Sequence, residues 1–221
     1  MADRLLFAKT GRAKYISHLD LMRTFQRAFA RAGIPIKHTE GFHPHPFVSI
    51  ALPLSVGYGS RCEILEFGLL EGTGREEVPD RLNAALPEGI TVRECYPAAR
   101  PIKELAFVDY EAVFDYPDGL IPRAEEALRA ILSRESVLVR KNSKKAKTGW
   151  TEVDIIPRIK SWQLSRRPGA LVLEGVLAAQ EPGLNPELIR AALCAECPDL
   201  TPDLASFCRR EILDGEGKVF R

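Results

Sequence analysis

The composition of this 221-residue chain is that of an ordinary globular protein, with 45% hydrophobic and 28% charged residues. Such a composition excludes a collagen-like, mucin-like or largely disordered chain. The 31 basic and 30 acidic residues leave a net charge of +1, which by itself predicts no particular partner.

The N-terminus and the cysteines indicate a cytoplasmic protein. No apolar run reaches the ~18 residues that a transmembrane helix needs, so we expect no membrane contact. Asp3 and Arg4 precede a short apolar run that has no cleavage pattern, so no signal peptide is expected. Five loosely spaced cysteines favour a reducing compartment.

The first 97 residues predict one small α+β domain. Hydrophobic periodicity predicts, in chain order, a strand at 4–9, a helix at 18–32 with Leu19, Met22, Phe25 and Phe29 on its apolar face, an extended stretch at 35–52, a strand at 62–70, a helix at 75–86 and a strand at 90–96. Ser17 and Asp20 predict a capping box at the start of the first helix, and Gly33 predicts its end. The order β-α-β-β-α-β is typical of a ferredoxin-like fold.

The same pattern restarts after a predicted linker at 98–106. The second half predicts a strand at 110–116, a helix at 122–133, strands at 136–140 and 151–156, an extra element at 157–164, a strand at 170–178, a helix at 186–196 and a strand at 205–212. We therefore predict an α+β protein with tandem ferredoxin-like domains, 1–97 and 107–221, and mainly antiparallel sheets.

Charge is strongly segregated along the chain. Residues 1–50 carry a net charge of +5, residues 51–135 carry −7, residues 136–170 carry +7 and residues 171–221 carry −4. If the two basic segments meet, they form a cationic face that attracts phosphate groups. The alternative is two separate solvated faces.

Two groups of cations are candidates for contacts with nucleic acid. Arg23, Arg27 and Arg31 follow one another at helical spacing, and a basic loop at 140–149 lies between two predicted strands beside Trp150. Cations next to aromatic rings suit RNA, because cations contact phosphates and rings stack on unpaired bases. The candidate nucleic-acid-binding residues are Arg12, Lys14, Arg23, Arg27, Arg31, Arg140, Lys141, Lys144, Lys145 and Lys147.

The segment Gly41-Phe42-His43-Pro44-His45-Pro46 is the least ordinary stretch of the sequence. Each proline favours an extended conformation of the residue before it, so His43 and His45 should face the same side. Together with His18 and His38 they form a cluster suited to metal binding, acid–base chemistry or phosphate contact. The alternative is a rigid loop whose histidines cap backbone groups.

Several motifs resemble the radical-SAM-linked protein family, a bacterial family of undetermined function. They are Tyr15-Ile16-Ser17-His18-Leu19-Asp20-Leu21-Met22-Arg23, Phe25-Gln26-Arg27-Ala28, Gly41-Phe42-His43-Pro44-His45-Pro46 and Ala51-Leu52-Pro53-Leu54 with Gly57, with a weaker match at 152–157. The family is similar to a C-terminal extension of some large radical SAM proteins. The resemblance implies a radical SAM protein as partner. The family motif has Asn where this chain has His43, which favours His45, His18 and Asp20 as site residues.

The cysteine spacing does not fit a radical SAM enzyme, whose cluster needs three cysteines spaced C-x3-C-x2-C. Only Cys194 and Cys197 form a close pair here, and they make a weak candidate metal or redox site at the end of a predicted helix. A buried structural role is the alternative. We therefore predict no cofactor and no assigned metal site.

Two functions remain from the sequence. The first is a non-catalytic accessory module that works with a radical SAM enzyme and presents RNA through a cationic face. The second is a metal-independent RNA-processing enzyme, in which His18 or His45 carries the proton, Tyr15 assists and Asp20 orients the histidine.

Overall fold

The computed structural model describes residues 2–142, 148–180 and 182–221, and this part of the chain forms a mixed α+β fold with mainly antiparallel strand pairs. It divides into two compact units. The first unit comprises residues up to Leu105 together with Cys208–Ile212 and Lys218–Arg221, and the second comprises Ala106–Phe207 and Leu213–Gly217. No helix of the described residues is long and apolar enough to cross a membrane.

The elements of the first unit follow one another in the order β-α-β-β-α-β. They are β1 (Asp3–Lys9), α1 (His18–Arg31), β2 (Val48–Ile50), β3 (Gly59–Phe67), α2 (Val78–Asn83) and β4 (Ile90–Pro97). The central strand β1 pairs antiparallel with β3 and β4, and β2 pairs antiparallel with β3. The predicted strands and helices of this half are thus present, although the second helix is shorter than expected.

Helix α1 begins and ends where the sequence predicted. Gly33 follows the helix with φ +63°, which glycine adopts without strain. Its N–H donates to the Ala30 carbonyl, and the Ile34 N–H donates to the Phe29 carbonyl, so the last carbonyl groups of the helix are satisfied. Arg81 also donates to the Ala32 carbonyl at 2.8 Å.

The core of the first unit lies between the helices and one face of the sheet. Phe25 packs edge-on against Phe7 with ring centroids 4.7 Å apart, and the ring centroids of Phe29 and Phe67 are 4.9 Å apart. The predicted apolar face of α1 is wrong at Leu19, which is 63% exposed. The buried residues, Leu21, Phe25, Ala28 and Phe29, recur at spacings of four, three and one, and Leu19 lies outside that stripe.

The second unit contains more strands than its predicted pattern. Its elements are β5 (Leu105–Asp115), α3 (Ile121–Leu132), β6 (Leu138–Asn142), β7 (Trp150–Asp154), β8 (Ile159–Arg167), β9 (Ala170–Ala178), α4 (Glu187–Glu196) and β10 (Leu204–Asp214), the last of which supplies residues to both units. Strand β9 pairs antiparallel with β5 and β8, while β6 and β7 form a separate two-stranded sheet.

The stretch predicted as an extra element, 157–164, begins in a short 3-10 helix, Ile156–Arg158, and continues from Ile159 as part of β8 in the sheet. Strand β8 pairs with β9 across the tight turn of Pro168 and Gly169, where Gly169 has φ +72°. The apolar periodicity missed β8 because most of its side chains are exposed, so hydrogen bonds to β9 rather than burial define the strand.

The predicted domain boundaries differ from the units at the C-terminus. The prediction assigned every residue after 106 to the second domain, whereas Cys208–Ile212 and Lys218–Arg221 belong to the first unit. The physical reason is that β10 pairs parallel with β3 at Cys208 and Arg209. Long-range pairing of this kind leaves no local signal in the sequence.

A glycine in the middle of β9 offers a test of the sheet. Gly175 lies between Tyr110 and Trp162 in the strand register and beside a small apolar cavity. A Cβ at this position would meet Leu177 Cδ2 at 3.5 Å and the Ser161 carbonyl oxygen at 3.6 Å, which is ordinary contact. We expect Gly175→Ala to raise the free energy of unfolding by about 0.5–1 kcal/mol, measured by urea denaturation.

Gly169→Ala is the control, because its positive φ strains any other residue although the space around it is open. This variant should lose about 1 kcal/mol of stability. A destabilising effect of Gly175→Ala as large as that of the control would contradict the register assigned to β9.

Candidate nucleic-acid interface

The first turn of α1 is built around Ser17. The Asp20 N–H donates to Ser17 Oγ at 3.2 Å, and the Ser17 hydroxyl donates to Asp20 Oδ2 at 2.7 Å. Arg23 donates to Asp20 Oδ1 at 3.1 Å. The hydrogen bond from Ser17, followed by that from Arg23, lowers the pKa of the Asp20 carboxyl below its ordinary value. Ser17 is thus the N-cap of α1, as predicted, while the Asp20 carboxylate accepts from the Ser17 hydroxyl rather than from the Ser17 N–H that a capping box would use.

The predicted row of arginines on α1 has three different environments. Arg23 is paired with Asp20 at the surface. Arg31 donates to the Ala85 carbonyl at 2.7 Å, beyond the end of α2, so its guanidinium serves a backbone group. Arg27 is exposed to solvent. The row therefore offers fewer available cations than its spacing suggested.

The segment 10–17, which joins β1 to α1, presents both charge and an aromatic ring. Arg12 is exposed, and Lys14 Nζ lies 5.1 Å from the centroid of the Tyr15 ring. The Tyr15 side chain itself is 63% exposed. Most of this segment forms a turn of 3-10 helix, Gly11–Tyr15, whose buried residue is Ala13.

The backbone of this segment is anchored on both sides. The Gly57 N–H donates to the Lys14 carbonyl at 2.8 Å, and Lys9 Nζ donates to the Ile16 carbonyl at 2.8 Å. The Thr10 N–H donates to the Gly89 carbonyl at 2.7 Å. The side chains of Arg12, Lys14 and Tyr15 thus extend from a backbone with a defined conformation. We call this feature the 10–17 segment.

The segment 38–46, which contains the two His-Pro pairs, forms an exposed hairpin. The Thr39 N–H donates to the His45 carbonyl, and the His45 N–H donates to Thr39 Oγ1. His45 Nδ1 lies 3.1 Å from Thr39 Oγ1 and 3.2 Å from the His43 carbonyl oxygen. The Phe42 ring near its tip is fully exposed. One ring nitrogen of His45 is therefore used within the hairpin itself.

The proposed acid–base residues are not connected by hydrogen bonds in the part of the chain that the structure describes. Among the residues described, no hydrogen bond links His18, Asp20 and His45, and no three His, Cys, Asp or Glu side chains are placed to hold a metal ion together. Tyr15 is exposed and interacts with Lys14. The enzymatic alternative stays a prediction, because no observation favours it.

The basic loop of the second unit is described only at its ends. Arg140 lies 4.4 Å from the centroid of the Trp150 ring across the β6–β7 pair, and Lys141 is exposed. Lys144, Lys145 and Lys147 lie outside the described residues. The cation and aromatic ring that the sequence placed near each other are therefore in direct contact at Arg140 and Trp150.

The cysteine pair has ordinary surroundings. Arg190 Nη1 lies 3.5 Å from Cys194 Sγ, and Cys197 caps the C-terminal end of α4. Both side chains are half-buried, and all five cysteines are free thiols.

Buried charges in the first unit were missed by the sequence analysis. Lys9, Glu63 and Arg209 are each at most 3% exposed, and Arg209 donates to Glu63 at 2.7 Å. A second buried arginine, Arg4, donates to Glu66 at 2.9 Å. The available signal was a charged residue within a run that otherwise reads as a buried strand, but the sequence does not identify its partner.

Comparison with known proteins adds a family. A family model described as an uncharacterized protein conserved in bacteria (DUF2344) matches residues 4–186. The chain belongs to this family. The match includes β1, α1, the His-Pro hairpin and β3, so the 10–17 segment lies within the part that defines the family. A search of curated proteins finds no match.

Among solved structures, a crystal structure of a Cbf5-Nop10-Gar1 complex contains a similar fold. The TM-score is 0.52 at 10% sequence identity, and the match covers 95% of the present chain and 48% of the chain in that complex. The chain thus spans about half the length of that relative, and the likeness is one of fold. A crystal structure of an unknown protein from Galdieria sulphuraria matches with a TM-score of 0.28 at 13% identity, over 93% of this chain and 95% of that one.

Removal of the cap tests the start of α1. Ser17→Ala should lower the free energy of unfolding by about 1 kcal/mol, because a backbone N–H of the first turn loses its acceptor. The pKa of Asp20 should rise toward its ordinary value of 3.8, since the carboxylate loses the hydrogen bond from the Ser17 hydroxyl, which lowers this pKa most. NMR titration measures that pKa, and urea denaturation measures the stability.

Ser17→Thr is the matched control, because it keeps the hydroxyl and should change neither quantity. The lowered pKa of Asp20 favours folding at pH values above its ordinary pKa, and this effect is lost as the pH falls through the lowered pKa. An unchanged Asp20 pKa in Ser17→Ala would contradict the geometry of the cap.

Proposed function

We propose that this protein is a non-catalytic binding module that presents RNA through cationic and aromatic side chains. We further propose that it acts in the cytoplasm beside a radical SAM enzyme, the partner implied by the motifs around α1 and the His-Pro hairpin. The proposal concerns binding, because no hydrogen bond among the described residues links His18, Asp20 and His45, and His45 Nδ1 is used within its own hairpin.

The observation that carries the proposal is the 10–17 segment. It presents the exposed Arg12 and Tyr15 and the half-buried Lys14, whose ammonium lies over the Tyr15 ring, on a backbone held by hydrogen bonds from Gly57 and Lys9. RNA binding requires cations for the phosphates and ring faces for unpaired bases. A preorganised backbone reduces the entropy lost when such a surface binds its ligand.

The second unit supplies a similar pair of groups. The Arg140 guanidinium lies over the ring of Trp150, a residue that is 37% exposed, and Lys141 is exposed at the next position of the strand, which faces the opposite side. These residues support a role of the β6–β7 hairpin in the same function, as base-stacking and phosphate-contacting groups.

The arrangement of strands supports a finer description of the fold. We propose that each unit is ferredoxin-like, with the order β4-β1-β3-β2 in the first unit. In the second unit β5, β9 and β8 take the places of β1, β3 and β2, and the β6–β7 hairpin is an insertion. The related fold in the Cbf5-Nop10-Gar1 complex occurs in a protein that assembles with others.

Substitution of the two cations of the 10–17 segment tests RNA binding directly. Arg12→Ala/Lys14→Ala should weaken binding of a labelled single-stranded RNA by about tenfold, because two phosphate contacts are lost. The slope of log affinity against log salt should fall by about 1.4, since each contact contributes roughly 0.7 for a single strand. Fluorescence anisotropy across a salt series measures both quantities.

Arg93→Ala/Lys103→Ala is the matched control, because it removes the same charge from exposed positions of the acidic segment of the first unit. The control should bind RNA nearly as the unaltered protein does. Equal losses in the two double variants would show that only net charge matters, and that the 10–17 segment is not the binding surface.

The partner is tested by affinity purification. A tagged protein isolated from native cells at low salt should recover a radical SAM enzyme together with a defined RNA, identified by mass spectrometry and sequencing of one eluate. The Arg12→Ala/Lys14→Ala variant should lose the RNA. Recovery of RNA without that enzyme would remove the partner from the proposal, and recovery of neither would contradict the proposal as a whole.

A further inference from the structure

Three charged side chains lie buried together behind the 10–17 segment. Lys9 ends β1, Glu63 lies in β3 and Arg209 lies in the part of β10 that belongs to the first unit. They are 1%, 1% and 3% exposed, respectively. Burial of charge is unfavourable unless partners compensate for the lost water. The arrangement therefore has to be judged by where each charged group directs its hydrogen bonds.

The strand register brings the two cations together, and the Glu63 side chain joins them. Ser60 on β3 pairs with Lys9 on β1 and with Arg209 on β10, so the two cations flank β3 at the same level. Arg209 Nη1 donates to Glu63 Oε1 at 2.7 Å. Burial lowers the pKa of the Lys9 ammonium, and the charge of Glu63 opposes this shift. One buried carboxylate thus serves two buried cations.

Both cations also donate to loop backbone. Lys9 Nζ donates to the Ile16 carbonyl at 2.8 Å, at the end of the 10–17 segment. Arg209 Nη1 donates to the Leu52 carbonyl at 3.1 Å, in the loop that connects β2 to β3. Gly57, in that same loop, donates its N–H to the Lys14 carbonyl. The charged cluster is consequently connected to both loops, and the loops are connected to each other.

We infer that Lys9, Glu63 and Arg209 are positioning residues of the 10–17 segment, which they hold in its binding conformation through the Ile16 and Leu52 carbonyl groups. This inference rests on the proposed function and adds residues that do not touch the RNA. Arg209 is the most informative of the three, because it reaches the site from the far end of the chain. Hydrogen bonds from a charged donor to a carbonyl are among the stronger ones in proteins, which suits them to fix a loop.

A second buried arginine of the same unit provides the control. Arg4 is 1% exposed and pairs with Glu66 of β3 at 2.9 Å, as Arg209 pairs with Glu63. Its backbone acceptor, however, is the Arg100 carbonyl, which lies outside both loops. Arg4→Met and Arg209→Met thus each remove a buried guanidinium from an ion pair, with a carboxylate that is 24% exposed at Glu66 and 1% exposed at Glu63, but only Arg209→Met removes a contact to the loops.

Hydrogen exchange and RNA binding are measured on the full chain, well below the unfolding temperature of each variant. In Arg209→Met we expect the Gly57 amide, which donates to Lys14, to exchange at least tenfold faster, and RNA affinity to fall about tenfold. Arg4→Met should change neither quantity, although it should also lower the unfolding temperature, by less than Arg209→Met does, because Glu66 is partly solvated and Glu63 is not. Equal exchange rates of the Gly57 amide in the two variants would overturn the inference, because the cluster would then be merely structural.

Further variants keep the test decisive. If Arg209→Met does not accumulate as folded protein, Glu63→Gln takes its place: it removes the charge of the shared carboxylate and should also speed exchange at Gly57. Arg209→Lys keeps the charge and should retain much of the RNA affinity. If the unaltered protein binds no RNA, the proposed function fails, and the exchange rate at Gly57 alone decides whether these residues hold the loops.

Discussion

Burial of charge is the constraint on which the first unit depends. Glu63 is buried in β3 between the apolar residues Cys62 and Ile64. Its negative charge is compensated by the ion pair with Arg209 and by the nearby charge of Lys9. Breaking such a buried pair leaves an uncompensated charge, which costs several kcal/mol, about 3–5 in measured cases. The compensation requires β10 to return to β3, so the far end of the chain becomes part of the first unit.

The same charged residues also form hydrogen bonds to the surface loops of the unit. Loops generally carry binding residues on a scaffold that positions them. Here the scaffold includes donors from buried side chains, since Lys9 and Arg209 each use one hydrogen bond on a loop carbonyl. The exposed Tyr15 ring and its neighbouring cations therefore stand on a backbone whose position is determined from inside the unit.

Local elements were predictable where their determinants lie close together in sequence. Helix α1 was predicted almost residue for residue, because Ser17 caps it, Gly33 ends it and an apolar stripe runs between them. Strand β8 was missed, because its side chains are largely exposed and only its pairing with β9 makes it a strand. Leu19 was misplaced for a related reason, since helical spacing alone does not decide which apolar residue faces the core.

The candidate site divides in the same way. By itself the sequence determined the cations and the aromatic ring of the 10–17 segment and the cap of α1, because each depends on neighbours within a few residues. It predicted an extended stretch at 35–52, where the structure has the His-Pro hairpin. Only the tertiary structure decided that Arg31 serves a backbone carbonyl and that His45 bonds within its own hairpin. It alone brought Arg209 to Glu63, which lie 146 residues apart in the chain. No local pattern encodes such a contact, because strand pairing and the cost of an unpaired buried charge act through space.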